Sequence, residues 1–193
     1  MRNTILFLSC LLFFVTDMIG QTYAIDASHS SVQISVQRFG VVDVIGRFKE
    51  VSGTINYNED DVSQTKAEAV IKVDSYDANN VGGEDAVKSA AFLDAENYPE
   101  ITFKSTGFNL NDGETRLNGT LTIHGQSQEV ELPFTIVGPL MDLPTRKKSI
   151  AAKASITINR QDYGVSFDRQ LPDGTQLVSN YVKITLNILA IAE

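Results

Sequence analysis

The sequence predicts an all-β domain, built as a closed antiparallel barrel of at least eight strands with one short helix. From residue 31 onward, apolar and polar residues mostly alternate, and clusters of Gly, Asn, Asp and Pro separate the alternating runs at short intervals. Helical periodicity is nearly absent. The chain has 193 residues, of which 42% are apolar, and this suits one domain with a single sizeable core. Closing the sheet removes the exposed edges that many antiparallel strands would otherwise leave.

The N-terminus has the pattern of an export signal. Residues 5–15 form an uninterrupted apolar run after Arg2, which is too short to span a bilayer but has the length of a signal-peptide core. Cleavage favours small residues around the scissile bond, so we expect a signal peptide over residues 1–20 and a mature barrel domain over residues 21–193. The mature protein would then start near Gln21 and be periplasmic or secreted.

The one cysteine of the sequence, Cys10, lies inside that apolar run. A processed chain therefore has no thiol to form a disulfide, to act as a nucleophile or to bind a metal. A competing interpretation makes Cys10 the acylated cysteine of a lipoprotein. Bulky Phe7, at a position where such signals have a small aliphatic residue, argues against it.

The chain is acidic, with 16 Lys and Arg against 24 Asp and Glu and a net charge of −8. Loss of residues 1–20 removes Arg2 and Asp17, so 15 cations against 23 anions leave the charge at −8. Such a field repels nucleic acid, and we expect no nucleic-acid partner. The basic run Arg146-Lys147-Lys148 predicts a solvated loop, while transient contact with a membrane and a homodimer both stay open.

Two alternating runs predict the first pair of strands. In the first run, Val32, Ile34 and Val36 alternate with polar residues. After a break at Phe39-Gly40, the second run continues with Val42, Val44, Gly46 and Phe48. Later alternating runs predict further strands at 51–57, 66–73, 101–105, 116–124, 128–137, 149–159 and 176–191.

One segment departs from the alternating pattern. In residues 82–93, acidic residues precede Ala86, Val87, Ala90 and Ala91, which recur at helical spacing. The pattern predicts one short helix inserted in the barrel. No repeat, linker or low-complexity tract divides the mature segment, so we expect a single domain.

One face of the strands is apolar and is expected to face the barrel interior. Small residues at alternating positions, Gly46, Gly119, Ala152 and Ala154, are compatible with a tunnel because larger side chains there would fill the interior. Periodicity alone leaves two alternatives open, a dry filled core and a cavity that binds a ligand. The apolar positions are Ile34, Val36, Val44, Phe48, Phe103, Leu121, Ile123, Phe134, Ile136, Ile156, Ile158, Ile184 and Leu186.

Residues that could carry catalysis are few. His29 and His124 are the only histidines, fewer than the three protein ligands of a typical catalytic zinc site, and we expect both in or beside turns. The chain has no Gly-x-Ser-x-Gly motif, no phosphate-binding Gly-x-x-x-x-Gly-Lys loop and no dinucleotide fingerprint. We therefore predict no metal, no cofactor and no enzymatic activity.

Two groups of charged residues have structural interpretations. Glu129 and Glu131 alternate with apolar residues, which indicates a solvated strand face rather than acid–base catalysis. Arg160 and Asp162 share a short segment at the end of a predicted strand. Such a pair would either brace the strand end or contact the polar head of a ligand, and bracing is the favoured interpretation.

Four segments, in this order, resemble the YceI-like family, also called polyisoprenoid-binding or lipocalin-like periplasmic proteins. The resemblance extends over essentially the whole mature chain, and its strength comes from the ordered set rather than from any one segment. The segments are Tyr23-Ala24-Ile25-Asp26-Ala27-Ser28-His29-Ser30; Lys88-Ser89-Ala90-Ala91-Phe92-Leu93-Asp94 with Tyr98-Pro99-Glu100-Ile101-Thr102-Phe103-Lys104-Ser105; Gly119-Thr120-Leu121-Thr122-Ile123-His124-Gly125; and Ile158-Asn159-Arg160-Gln161-Asp162-Tyr163-Gly164-Val165.

The resemblance implies an extended eight-stranded antiparallel lipocalin-like barrel with a small helical insertion and a signal peptide. It also implies an apolar tunnel for a long-chain isoprenoid, a quinone or a related lipid, which the protein would sequester or transport without a cofactor. Phe92 and Arg38 then join the apolar positions above as expected ligand-binding residues. Two alternatives remain: an extracytoplasmic stress or interaction protein with a packed barrel, and an enzyme that acts on a lipid in the cavity.

The chain departs from the family pattern at two positions. Arg38 and Ala86 stand where the family usually has histidines, so no role of those histidines transfers here. Arg38 shares the parity of Val32 and Ile34 and should point inward. Because an unpaired guanidinium is costly to bury, we expect it to meet a carboxylate such as Asp26 or Asp43, reach water at the mouth or contact a ligand's polar head.

Overall fold

The computed structural model describes residues 20–111 and 113–193, which form an antiparallel β-sheet and one α-helix. Apart from Gly20, the segment that we expect to be a signal peptide lies outside the described residues. Among those residues, no helix is long and apolar enough to cross a membrane. The elements are β1 (Gln21–Ile25), β2 (Ser31–Arg38), β3 (Val42–Phe48), β4 (Val51–Tyr57), β5 (Lys66–Lys72), β6 (Tyr76–Asp77), α1 (Val81–Lys88), β7 (Glu100–Asn111), β8 (Glu114–Ile123), β9 (Gln126–Asp142), β10 (Lys147–Asn159) and β11 (Val178–Ala192).

The 11 strand segments close into an eight-stranded barrel because three of the barrel strands are bent. β1 and β2 pair in succession with β11, so they act as one long strand. β3 and β4 form the second bent strand, and β5 and β6 form the third. β7 to β11 complete the ring with antiparallel neighbours throughout. The predicted closed antiparallel barrel is confirmed.

The strand directions place the connections at two ends of the barrel. The turn 39–41, the segment 78–99 with α1, the turn 124–125 and the loop 164–177 lie at one end, which we call the helix end. The β9–β10 turn and the connection from β4 to β5 lie at the opposite end. The basic run belongs to the opposite end, where Lys147 and Lys148 begin β10 and only Arg146 lies in the turn. The prediction of a loop for the whole run was therefore wrong, although all three side chains are exposed.

The helix is shorter than predicted. It begins at Val81 after Asn80, whose side-chain oxygen accepts a hydrogen bond from the Gly83 backbone N–H at 3.5 Å, and it ends at Lys88 rather than at residue 93. At Ser89 the backbone becomes extended and the hydroxyl donates to the Ala86 carbonyl at 2.7 Å. Ala90 and Ala91 therefore lie outside the helix and are exposed, while Phe92 and Leu93 line the barrel interior.

Gly46 and Gly119 do not widen the interior as we expected. A Cβ at Gly46 would lie 2.2 Å from the Tyr76 hydroxyl oxygen, and one at Gly119 would lie 2.5 Å from the Phe103 Cζ. Each glycine therefore makes room for the ring of a neighbouring strand. Of the four small residues, only Ala152 and Ala154 line open space.

Candidate ligand-binding cavity

An apolar cavity of about 710 Å³ occupies the barrel interior. Its lining is drawn from every barrel strand, from α1 and from the loop 164–177. Each residue that we predicted to bind a ligand lies in this lining, including Phe92 and Arg38. The structure therefore brings the predicted set together around one space, while their contact with a ligand stays a prediction.

Of the two alternatives left by the sequence, a filled core and a cavity, the structure has the cavity. Inward-facing residues such as Ile34, Phe103 and Ile184 are only partly buried because part of their surface faces the cavity. Fully packed residues such as Tyr23 and Ile150, which are 2% and 1% exposed, lie near the opposite end, where β1 meets β11 and β10 meets β11. The barrel therefore combines a packed region with an open one.

The cavity follows the barrel axis. Along β11 its lining extends from Val178 to Ile188. Steps of about 3.3 Å in a strand tilted by about 40° carry that stretch about 25 Å along the barrel axis. An apolar space lined over that length can hold an extended hydrocarbon chain.

Four charged residues contribute to the lining, and two of them direct their charge elsewhere. Glu68 is exposed and pairs with Lys104 at 2.9 Å. Lys153 alternates with the cavity-lining Ala152 and Ala154, so its ammonium group lies on the outer face of β10. The remaining two are arginines at the helix end.

Arg160 is a buried brace, as favoured from the sequence. Its guanidinium, in a side chain only 5% exposed, donates to the carbonyls of Ser179 at 3.0 Å, Phe167 at 2.6 Å and Val165, and to the Asn180 Oδ1 at 2.9 Å. Burial lowers the pKa of this guanidinium from its ordinary value. These bonds fix the base of the loop 164–177.

The expected ion pair between Arg160 and Asp162 is absent among the described residues. Asp162 instead accepts a hydrogen bond from the Asn159 Nδ2 at 3.2 Å. Backbone and amide oxygens satisfy the Arg160 donors, because the chain folds back around the guanidinium after the strand ends.

Arg38 has the opposite environment. It is exposed at the last position of β2, and its guanidinium carbon lies 4.5 Å from the centroid of the Phe39 ring. The pairing that we considered with Asp26 or Asp43 is not found: within the described chain no carboxylate lies within ion-pair distance of Arg38. Asp26 accepts instead from the His29 Nδ1 at 2.7 Å.

The two histidines occupy turns. His29 ends a short 3-10 helix and lowers the pKa of Asp26 through their hydrogen bond. His124 follows β8 with φ of 50°, and its ring centroid lies 4.4 Å from that of Tyr98. Among the described residues, no group of three or more His, Cys, Asp or Glu side chains is arranged to hold a metal ion.

Sequence reasoning missed several cavity residues that belong to no alternating run. Phe39 lies in the turn after β2, Tyr163 ends a 3-10 helix after β10, and Phe167 lies in the loop 164–177. Burial raises the pKa of Tyr163 to about 12. The only signal for these residues was the concentration of large apolar side chains in a segment without periodicity.

Comparisons with known proteins agree with this architecture. A family model described as the YceI-like domain matches residues 23–190. The protein YceI of Salmonella arizonae is 29% identical over 163 residues, which cover 83% of this chain and 85% of that protein.

Two solved structures share the fold. The crystal structure of Burkholderia cenocepacia BcnA superposes with a TM-score of 0.74 and 24% identity, over 86% of this chain and 99% of that one. A polyisoprenoid binding domain from Saccharophagus degradans superposes with a TM-score of 0.69 and 15% identity, over 90% and 99% of the two chains. With the family model matched over nearly the whole barrel, the chain belongs to the YceI-like family.

Proposed function

We propose that this chain is an exported carrier that sequesters or transports one long-chain isoprenoid, quinone or related lipid inside its barrel. The observation that carries the proposal is the apolar cavity of about 710 Å³, whose lining extends about 25 Å along the barrel axis. The proposal includes removal of the signal peptide and a periplasmic or secreted location. The polyisoprenoid binding domain with the same fold supports the ligand class.

The affinity comes from burial of apolar surface. Each Å² of lipid removed from water contributes about 25 cal/mol, which is offset by the lost freedom of the ligand. The walls provide aliphatic and aromatic contact on all sides, from residues such as Phe48, Leu121 and Ile156. A preformed cavity of this kind needs no cofactor to bind its ligand.

The proposed role is binding rather than catalysis. Catalysis on a lipid would require reactive groups directed into the cavity. The Arg160 guanidinium donates to protein oxygens, and the Tyr163 phenol has a raised pKa that keeps it protonated. These observations favour a site that holds a lipid unchanged.

Native mass spectrometry of protein purified from its own host, followed by lipid extraction, tests the proposal. We expect a stoichiometric long-chain lipid that is released unchanged after incubation. Turnover of the bound lipid would indicate an enzyme, and a chain that neither retains nor takes up any lipid would contradict the carrier function.

A further inference from the structure

Arg38 ends the inward-facing register of β2. Its backbone pairs with Val42 on one side and Val178 on the other, and its side chain lines the cavity at the helix end. The residues before it on the same face, Val32, Ile34 and Val36, are apolar. A single cation therefore follows an apolar row at the point where the cavity meets solvent.

The guanidinium of Arg38 has no hydrogen-bond or ion-pair partner among the described residues. Its one recorded contact is the Phe39 ring, at 4.5 Å from the guanidinium carbon, and a cation stacked in this way keeps its N–H donors free at its edge. Arg160, at the same end, has its donors occupied by protein oxygens. Of the two arginines, only Arg38 can bind a ligand.

The surrounding charges give this cation a specific role. The nearest acidic residue along β3, Asp43, pairs with Gln37 and therefore lies on the outer register. The net charge of −8 disfavours an anion in general, so an acidic ligand needs a local cation at its head. A guanidinium presents paired donors that match the oxygens of a carboxylate or a phosphate.

A second donor lies on the same lining. Asn80 uses its side-chain oxygen to accept from the Gly83 N–H, and its Nδ2 has no acceptor within the described chain. Beyond these groups the lining toward the opposite end is mostly apolar, for example at Leu117, Leu132 and Ile136. The polar lining residue Thr65, near the opposite end, donates its hydroxyl to the Val62 carbonyl at 2.6 Å, so the donors without a protein partner lie at the helix end.

We propose that Arg38 makes the cavity selective for single-chain lipids with an acidic head, a carboxylate or a phosphate, bound with the head at the helix end and the tail along the barrel. The inference rests on the proposed lipid-binding function and narrows its ligand class. A carrier that recognised only the hydrocarbon tail would not distinguish an acid from the corresponding alcohol.

The test compares acids with alcohols of the same tail. Palmitate and cetyl alcohol form one pair, and geranylgeranyl phosphate and geranylgeraniol form the other, so that fatty-acid and isoprenoid sources are distinguished. The chain starting at Gly20 contains every strand of the closed barrel and is titrated by displacement of a fluorescent lipid. We expect at least one acid to bind about tenfold more tightly than its alcohol.

Substitutions at position 38 test whether Arg38 causes the preference for acids over alcohols. Arg38→Gln should weaken the preferred acid about tenfold and its alcohol less than twofold, and Arg38→Lys should retain part of the preference. Arg169→Gln is the matched control, because it removes the same exposed charge from the loop 164–177 without touching the lining. Thermal melting checks that each variant is folded.

The outcomes separate the two proposals. Equal binding of acids and alcohols, or equal loss in the Arg38 and Arg169 variants, would overturn the head-group selectivity and leave the carrier function standing. Failure of all four lipids to displace the fluorescent lipid would overturn the head-group selectivity, whereas the carrier function fails only if the fluorescent lipid does not bind and native mass spectrometry finds no retained lipid. Loss of acid binding in Arg38→Gln alone, with the alcohols unaffected, supports the inference.

Discussion

The Phe92 and Phe167 rings stack with their centroids 4.7 Å apart and an angle of 30° between their planes. Phe92 comes from the segment that follows α1, and Phe167 comes from the loop whose base Arg160 holds. Both rings line the cavity. The stack thus joins two connections at the helix end, and we propose that a lipid enters and leaves the cavity there.

This stack should slow the release of a bound lipid. An aromatic pair contributes about 0.5–1.5 kcal/mol beyond its buried area, so Phe92→Ala should raise the dissociation rate of a fluorescent lipid roughly 2- to 10-fold in stopped-flow measurements. Phe108→Ala is the matched control, because Phe108 packs edge-on against Phe134 with centroids 6.3 Å apart but does not line the cavity. An equal increase of the lipid dissociation rate in both variants would mean that the whole barrel is loosened and that the stack does not control lipid release.

Phe103 is predicted to contact the lipid tail. Phe103→Asp should reduce lipid retention severalfold or more, because an unpaired carboxylate in an apolar cavity is costly to desolvate. Phe103→Leu is the control that keeps the position apolar, and circular dichroism establishes that both variants fold. Unchanged lipid content in a folded Phe103→Asp variant would remove this residue from the binding site.

The close approach at Gly119 predicts a stability effect. Gly119→Ala should lower the free energy of unfolding by about 2 kcal/mol, because its Cβ would lie 2.5 Å from the Phe103 Cζ and 2.7 Å from the Lys104 carbonyl oxygen. Gly107→Ala is the control, since its Cβ would meet only the Asn118 Nδ2 at 3.9 Å. Urea unfolding compares the two. Equal stability of both variants would show that the strands can shift to accept the methyl group.

The role of Arg160 as a brace also predicts a loss of stability. Arg160→Gln should lower the free energy of unfolding by about 3 kcal/mol, because several buried carbonyls lose their donor. Arg169→Gln, an exposed change in the same loop, should have little effect. An Arg160→Gln variant as stable as Arg169→Gln in urea unfolding would contradict the role of Arg160 as a brace.

The position of the mature N-terminus can be measured directly. Intact mass of the exported protein should correspond to a start near Gln21, the first residue of β1, without Cys10 and without an acyl chain. A mass that includes Cys10 and a lipid would establish a lipoprotein instead.

The sequence predicted the barrel well because most of its strands are half-buried, so apolar and polar residues alternate along them. The strand predicted at 51–57 matches β4 at both ends. The strand predicted at 101–105 was too short, since β7 continues to Asn111 beyond a bulge between Ser105 and Gly107 that shifts its register. A period-two pattern loses its phase at such a bulge, so the sequence pattern ends there although the strand continues.

The cavity was harder to predict than its walls. Alternation identifies which residues face inward. Whether the inward side chains of opposing strands fill the interior depends on the barrel diameter and on where each aromatic ring lies. Gly119 illustrates the difficulty, because the space its missing side chain leaves is taken by Phe103 of the neighbouring strand. The mouth depends on Phe167, which lies in irregular backbone that no periodicity could reveal.

Occupation of the cavity by a lipid chain is the central claim, and thiol protection measures it directly. The one natural cysteine precedes Gly20, so Ile184→Cys and Lys183→Cys in the chain starting at Gly20 each carry a single thiol. Ile184 lines the cavity, whereas its neighbour Lys183 is exposed on the outer face of β11. We expect added lipid to slow modification of the thiol at position 184 at least tenfold and to leave that at 183 unchanged. Equal modification rates at position 184 with and without a lipid that demonstrably binds would contradict the claim that the lipid lies in the barrel.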